Sequence, residues 1–597
     1  MNSFVKRTFN LRAFTFSDAG FRAALNRSSL MIFCLALLAF PSFAQNDSLA
    51  ARLPADAWLY VHWHGTTSLA GVRDTNSVLR FLRDPSVAAL PGRIIEYAHS
   101  QAQKNKTATG RQFTQQDADD VVSLLENPAV VGFLANPGSA AGATNTASFF
   151  FILDTTGKQD LFEKFRARMT AENVAPTERI PLVIDRIPVS KTVTGNNTSY
   201  EAQEGNFYVN TASLPAMAEL LPRLTAANPP ASQIGDIPAA CRAMPGNSLL
   251  NYLALPGKLN LSQSPSNLNF NFAAFVKSLH VDHLQAVCGN LKFESSTTRM
   301  QTTILGDTSE GSILNLFGDS REKFATMALA PSGSAYQCTI LDFASLYDAL
   351  KTGFTAALPP ERAGLVAGMD SLLAMSWGIA PADAFRLFTG EMAVIRVNPA
   401  MDPSRMVYAL SIQQPDKVLG VLRKILAKAN PEEKQEGDTT YFTLAAPSMQ
   451  PAASTPPGTA AEPDSYTLAV SPSMLIVAKG QDLVRDAVSR SRAASAPSAA
   501  LSGDAGYQKA RPSLPGKLNS LSYTDLAHFN WEKIASDYQK QINEQAQAAA
   551  RNAGKPAPPV MDFLGSFDWQ AISRYLHFAL SGGWKDSTGI YFDSYIQ

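Results

Sequence analysis

The sequence predicts an α+β protein made of tandem duplicated units, each a largely antiparallel sheet with helices packed on one face. Three observations predict it. A strand-then-helix pattern near Phe149 returns without a gap near Met406, the elements on either side of it return as well, and strands follow one another through polar turns with only occasional helices between. Strands joined by turns pair antiparallel, and the helices are left to cover the sheets.

The first copy of the central pattern runs Phe149-Phe150-Phe151-Ile152-Leu153, a polar turn through Gly157, then Leu161, Phe162, Phe165 and Met169. The second runs Met406-Val407-Tyr408-Ala409-Leu410, a turn through Pro415, then Val418, Leu419, Leu422 and Leu426. An apolar run followed by a stripe at i, i+1, i+4 and i+8 is the pattern of a buried strand feeding an amphipathic helix. Upstream, the strand Ala129 to Leu134, ending in Asn136-Pro137, corresponds to Met392 to Val397, ending in Asn398-Pro399. Downstream, Phe207-Tyr208-Val209 before a helix at Met217 and Leu221 corresponds to Leu475-Ile476-Val477 before a helix from Leu483 to Val488. The opening strand, with Leu59, Val61 and Trp63 on one face, corresponds to Tyr336, Cys338 and Ile340. A shorter module recurs too: Leu284 to Thr303 and Leu576 to Tyr595 each read as a β-ribbon after a short helix, with Phe272, Phe275 and Val276 in one and Trp569 and Ile572 in the other.

These matches divide the chain into a first long unit (52–225), a first short module (240–325), a second long unit (328–492) and a second short module (512–597). Within the first long unit the pattern predicts helices from Asn76 to Ser100, Asp117 to Leu125 and Asp160 to Met169, and further strands from Leu182 to Val193 and Tyr200 to Ala202. So long a repeat period argues against a solenoid. Two related long units would pack most simply about a pseudo-twofold axis with a groove between them. Pro- and Ala-rich stretches mark surface joints at 226–240 and 493–502, a coil ending at Pro559, and a disordered insertion at 445–463. Hydrophobic residues at 45% and charged residues at 17% supply several cores and exclude global disorder.

Residues 1–44 predict export. Lys6, Arg7, Arg12, Arg22 and Arg27 precede an apolar stretch from Leu30 to Phe40 and the small residues Ser42 and Ala44, the pattern of a secretory signal cleaved after Ala44. The alternative is a retained anchor, but the apolar stretch is shorter than the roughly 20 residues that span a bilayer. The expected location is periplasmic or extracellular, with no integral membrane span after cleavage. Residues 1–44 hold five basic residues and one acidic, so the remainder of a chain with 51 of each carries 46 against 50 and a net charge of −4. That balance gives no electrostatic footprint for nucleic acid or anionic lipid.

Beyond the signal, Cys241, Cys288 and Cys338 remain. An oxidising compartment favours pairing, and Cys241 with Cys288, both in the first short module, is the expected disulfide. Cys338 occupies the repeat position of Val61 and reads as a buried thiol.

Four histidines are candidate ligands. His62 and His64 alternate with Trp58 and Tyr60 on one strand face, where two imidazoles can share a metal; a hydrogen-bonded or solvated face is the plainer alternative. His280 and His283 flank Asp282 at a helix end, a spacing that permits a shared ligand but equally suits cations at a helix C-terminus. Ser320-Arg321-Glu322-Lys323 and Lys351-Thr352-Gly353 look superficially like the serine and Lys-Thr-Gly elements of penicillin-recognising enzymes, but Lys351 continues a helical pattern where that family has a strand. The chain has no nucleophile elbow, no zinc-protease helix, no phosphate-binding loop, no dinucleotide fingerprint and no calcium loop, so no cofactor is implied.

The opening Leu53-Pro54-Ala55-Asp56-Ala57-Trp58-Leu59-Tyr60-Val61, the segment Leu79-Arg80-Phe81-Leu82-Arg83-Asp84-Pro85-Ser86-Val87 and the strand Thr389-Gly390-Glu391-Met392-Ala393-Val394 resemble uncharacterised secreted bacterial proteins built from a repeated domain of unknown function. The resemblance implies an exported protein and carries over no functional residue. The sequence as a whole predicts a non-catalytic envelope protein that binds an unknown partner or ligand. The rivals are an envelope hydrolase or metal-dependent enzyme with a site in only one copy, and a carrier of an apolar small molecule.

Overall fold

The computed structural model describes residues 49–54, 57–67, 69–89, 114–135, 148–171, 177–194, 197–225, 248–258, 270–308, 312–397, 405–445, 465–493, 500–552 and 567–597. Outside them lie the predicted export signal, the joint at 226–240, most of the joint at 493–502, all but the first residue of the insertion 445–463, and Cys241.

Down the chain, β1 (Ala57–Trp63) is followed by α1 (Ser77–Leu82), α2 (Gln115–Leu124), β2 (Ala129–Leu134), β3 (Ser148–Asp154) and α3 (Gln159–Ala171). Four strands follow, β4 (Thr177–Ile184), β5 (Ile187–Thr194), β6 (Asn197–Glu204) and β7 (Phe207–Thr211), and then α4 (Leu214–Thr225). Next come β8 (Leu250–Ala254), α5 (Phe272–Ser278), β9 (Leu284–Phe293) and β10 (Thr298–Gly306). The later half runs β11 (Ala335–Ile340), α6 (Phe343–Ala357), α7 (Pro360–Trp377), β12 (Phe388–Arg396), β13 (Met406–Ile412), α8 (Pro415–Leu426), β14 (Glu432–Glu436) and β15 (Thr439–Ala445). It ends with β16 (Ser465–Val470), β17 (Met474–Lys479), α9 (Gln481–Arg492), α10 (Ala505–Ala510), β18 (Ser520–Asp525), α11 (Trp531–Asn552), α12 (Gln570–Tyr575), β19 (Phe578–Lys585) and β20 (Gly589–Ile596).

The chain forms two compact units, residues 1–73 with 87–236 and residues 74–86 with 237–597. In the first, the strand order is β1-β2-β3-β7-β6-β5-β4, every pair antiparallel. In the second, β11-β12-β13-β17-β16-β15-β14 repeats that order, again antiparallel throughout. The α+β class is thus expressed as one topology used twice: a three-strand meander, a helix, and a four-strand meander whose last strand returns to pair with the third.

Two local details differ from the sequence reading. The single strand expected from Leu182 to Val193 is a hairpin, because Asp185 and Arg186 both take positive φ (48° and 70°) and close a two-residue turn between β4 and β5. The helix expected from Asn76 breaks after Leu82, since Asp84 precedes Pro85 and is held out of the helix, its carboxylate accepting from the Ser86 N–H at 3.0 Å. Beyond residue 89 that helix falls outside the described residues.

Side-chain alternation sorts the second long unit into two layers. Ala393, Ile395, Val407, Ala409, Ile476 and Ala478 share a core with Val484, Ala487 and Val488 of α9. The alanines, paired across strands as Ala393 with Ala409, keep that face shallow enough for the helix to approach. On the opposite side of the same strands, Ile412, Phe442, Val470 and Leu475 pack with Val418 of α8. Each such fully buried aliphatic side chain contributes roughly 1.5–3 kcal/mol.

The two short modules, β8-β9-β10 and β18-β19-β20, meet within the second unit, where β10 and β20 pair antiparallel from Thr298 with Ile596 to Leu305 with Gly589. Across this seam the guanidinium of Arg299 donates to both oxygens of the buried Asp593, Nε lying 2.9 and 3.1 Å from them, and Tyr595 Oη donates to Asp593 at 2.9 Å. The seam is therefore fixed by a satisfied buried charge as well as by backbone ladders.

Residues 74–86, which the sequence places inside the first long unit, pack with the second. Asn76 explains how. Its Oδ1 caps α1 by accepting from the Leu79 N–H at 3.0 Å, while its Nδ2 donates to the carbonyls of Glu294 and Thr297, both at 2.9 Å, in the turn between β9 and β10. One fully buried amide thus ties a helix start to a distant hairpin.

Candidate functional site

Four histidines are singled out by the sequence. His62 is buried near the end of β1, and His64 lies just past that strand, which stops at Trp63. Their ring centroids are 4.0 Å apart, and both engage neighbouring groups. His280 and His283 are both exposed, with ring centroids 4.9 Å apart. His280 takes positive φ (54°), so it ends the turn after α5 rather than continuing the helix. Among the described residues no group of three or more His, Cys, Asp or Glu side chains is gathered to hold a metal ion.

Cys288, on β9, is disulfide-bonded. Its expected partner, Cys241, lies outside the described residues. Cys338, on β11, is a free, buried thiol. Burial first, and the nearby charge of Glu391 second, push its pKa up to about 12. Glu391 itself was not foreseen as a buried charge. It sits beside a backbone irregularity where Gly390 takes φ +87° and a Cβ would lie 2.4 Å from the Leu341 carbonyl oxygen. Its Oε1 accepts from the Thr326 N–H at 2.6 Å and the Thr326 hydroxyl at 2.7 Å, and Arg321 lies 3.5 Å from its other oxygen. These partners satisfy the carboxylate within the fold and leave it a structural group.

The surface that stands out is the helical hairpin of α6 and α7. Proline at the first position of α7 suits its open N-terminus, and Gly378, at φ +71°, ends the helix with its N–H on the Ala374 carbonyl. Between them only Glu361, Arg362 and Asp370 carry charge, and apolar residues run round the whole helix. Such a helix belongs in an interior. Yet Leu365, Met369, Leu372 and Met375 are 66%, 54%, 64% and 75% exposed. The other side of the helix is anchored: Asp370 accepts from Lys351 and Tyr347 of α6, and Val366 is buried. The hydrogen bond from Lys351 holds the Asp370 carboxyl below its ordinary pKa, and desolvation followed by Asp370 raises Tyr347 to about 12. Lys351, part of the Lys-Thr-Gly resemblance, is thus a brace between two helices.

The arrangement presents a row of aliphatic and thioether side chains at helical spacing on a braced support, suited to burying apolar surface against another body. Sequence reasoning passed over it because a helix that is apolar on every side has no stripe for periodicity to detect.

No family model matches the chain, and no curated protein matches it. Among solved structures, crystal form III of TP0453 is similar over 45% of this chain and 82% of its own, at 10% identity and a TM-score of 0.23. Crystal form I of the same protein is similar over 47% and 90%, at 13% identity and a TM-score of 0.22. Scores this low carry no argument about architecture or activity. None of the described helices is long and apolar enough to cross a membrane.

Proposed function

We propose that the chain is an exported, non-catalytic envelope protein whose duplicated sheet scaffold holds out the apolar face of α7 to bind a partner. The observation that carries this reading is the exposure of Leu365, Met369, Leu372 and Met375 in one row on a helix braced from behind by Lys351 and Asp370. Large contiguous apolar patches on soluble folds mark interaction sites. Export is supported by the basic, apolar and small-residue order of residues 6–44 and by the bonded state of Cys288, since disulfides persist in oxidising compartments.

The test is a photo-crosslinking amino acid placed at Met375 in cells. The reading expects a covalent adduct in the envelope fraction that disappears when Leu372→Glu is added; absence of any adduct overturns it. The rival reading, a metal-dependent enzyme centred on His62 and His64 or on His280 and His283, predicts stoichiometric metal in the purified protein that is lost in a His62→Ala, His64→Ala or a His280→Ala, His283→Ala double variant.

A further inference from the structure

We infer that the partner of α7 is a second copy of this chain, crossing it antiparallel about Gly368 so that Leu372 of each copy sits on Gly364 of the other. The inference rests on the function just proposed and names the partner at that same face.

Two glycines carry the choice of occupant. Gly364 and Gly368 lie one turn apart on the exposed side of α7, and a Cβ at either would meet nothing within 4 Å. Neither has the positive φ that demands glycine. Glycine is the poorest helix former after proline, so two of them in an exposed helix weaken it with no return inside the molecule. A second backbone approaching that flank supplies the return: small residues let two helices close up while the large neighbours interdigitate. The face is complementary to itself, as a twofold interface requires. Gly368 lies midway between Gly364 and Leu372, so an antiparallel crossing there sets each leucine against the opposing glycine, with Leu365 and Met369 packing around them and Met375 at the margin, level with Glu361 of the other copy.

Charge and area agree. From Gly364 to Gly378 the one ionisable side chain is Asp370, and it is occupied by Lys351 and Tyr347 of the same copy, so two copies bring no opposed charges together. Glu361 and Arg362 lie at the N-terminal end, where crossed helices splay into water. A helix lying on anionic lipid carries basic residues along its polar side, and α7 has Arg362 alone. The four exposed side chains offer roughly 500 Å² per copy, the size of the largest apolar patch on a typical monomer and more than half of the roughly 800 Å² per partner in a standard interface.

The test is sedimentation velocity of the full chain as exported, across a concentration series, with far-ultraviolet circular dichroism as the check on folding. The wild-type protein should dimerise, and Leu372→Glu should weaken the dimer by about 30-fold or more, as expected for a central anchor. Gly364→Leu adds apolar surface and helix propensity, so it folds, but it fills the groove and should abolish the dimer. Gly368→Cys should form a disulfide-linked dimer under copper-phenanthroline oxidation, because the two positions meet at the axis. A wild-type monomer at every concentration overturns the inference, as does a dimer that Gly364→Leu leaves intact. If the protein is monomeric and the Met375 adduct has the mass of another protein, or if it binds phosphatidylglycerol vesicles through Leu372, this inference fails while α7 remains a binding face. If no adduct forms at all, both readings fail.

Discussion

Replacing Asn76 tests the tie between α1 and the β9–β10 turn, and two variants separate its two roles. In Asn76→Ala the helix loses its cap, which costs about 1 kcal/mol. It also loses two donors, to the Glu294 and Thr297 carbonyls, in a fully buried place. At about 1 kcal/mol net for each hydrogen bond, and more where a carbonyl is left unsatisfied, the sum is about 3–4 kcal/mol. Asn76→Asp is the sharper probe. It keeps the shape and the cap, but it turns a donor into an acceptor facing two carbonyl oxygens that Asn76 now reaches at 2.9 Å. A buried carboxylate there should have a raised folded pKa, so its penalty is small below the unfolded value near 3.9 and grows as the pH rises above it. At neutral pH the Asp variant should therefore be at least as impaired as the Ala variant. Hydrogen exchange followed by mass spectrometry on peptides covering 74–86 and 290–300 reads this directly, since 3 kcal/mol is roughly a hundredfold faster opening. Unchanged exchange in 290–300, or an Asp variant milder than Ala at neutral pH, refutes the reasoning.

Two further outcomes are expected. Cys338 should resist thiol labelling at about pH 8 in the native protein and react once it is unfolded, because burial keeps it as the thiol; since its folded pKa, about 12, lies above the ordinary thiol value of 9.0, stability should fall as the pH rises past 9 and the unfolded thiol ionises. Burial pushes the Asp504 carboxyl upward, but hydrogen bonds from Ser332 at 2.6 Å and from the backbone N–H of Tyr507 at 3.0 Å outweigh it and leave the pKa lowered. Its contribution is then present above the unfolded pKa and lost as the pH falls below it, so a plot of melting temperature against pH should flatten on the acid side in Asp504→Asn, and an unchanged acid limb would contradict the assignment.

The parts of the fold that were legible in sequence are those where burial leaves an alternating mark. Phe150 and Ile152, or Ala409 and Val407, are buried on one face while Phe149 and Phe151, or Tyr408 and Leu410, are not, and such strands can be read and matched between copies. β14 could not be read this way. Its residues Glu432 to Glu436 are all polar and mostly exposed, and they form a strand only because β15 offers a ladder after the turn at Gly437. The hairpin at Asp185-Arg186 was hidden because arginine rarely takes positive φ, so no turn signal stood there. The histidine pairs drew attention through spacing alone, whereas Asn76 marked only the start of a predicted helix, its tie to a turn 218 residues away leaving no local sign. The α7 face left no signal of either kind: uniform apolar composition gives no period, and only three dimensions show which side meets water.

The seam between β10 and β20 has a consequence for biogenesis. Of the described strands, the one synthesised last is inserted between β19 and β10, inside its sheet. Until it arrives, β10 has no neighbour on that side, and its unpaired amides invite strand addition from any passing chain. Completion of this layer is therefore a late event in folding of the nascent chain, and the emerging polypeptide must be shielded from its neighbours until residues 589–596 close the gap.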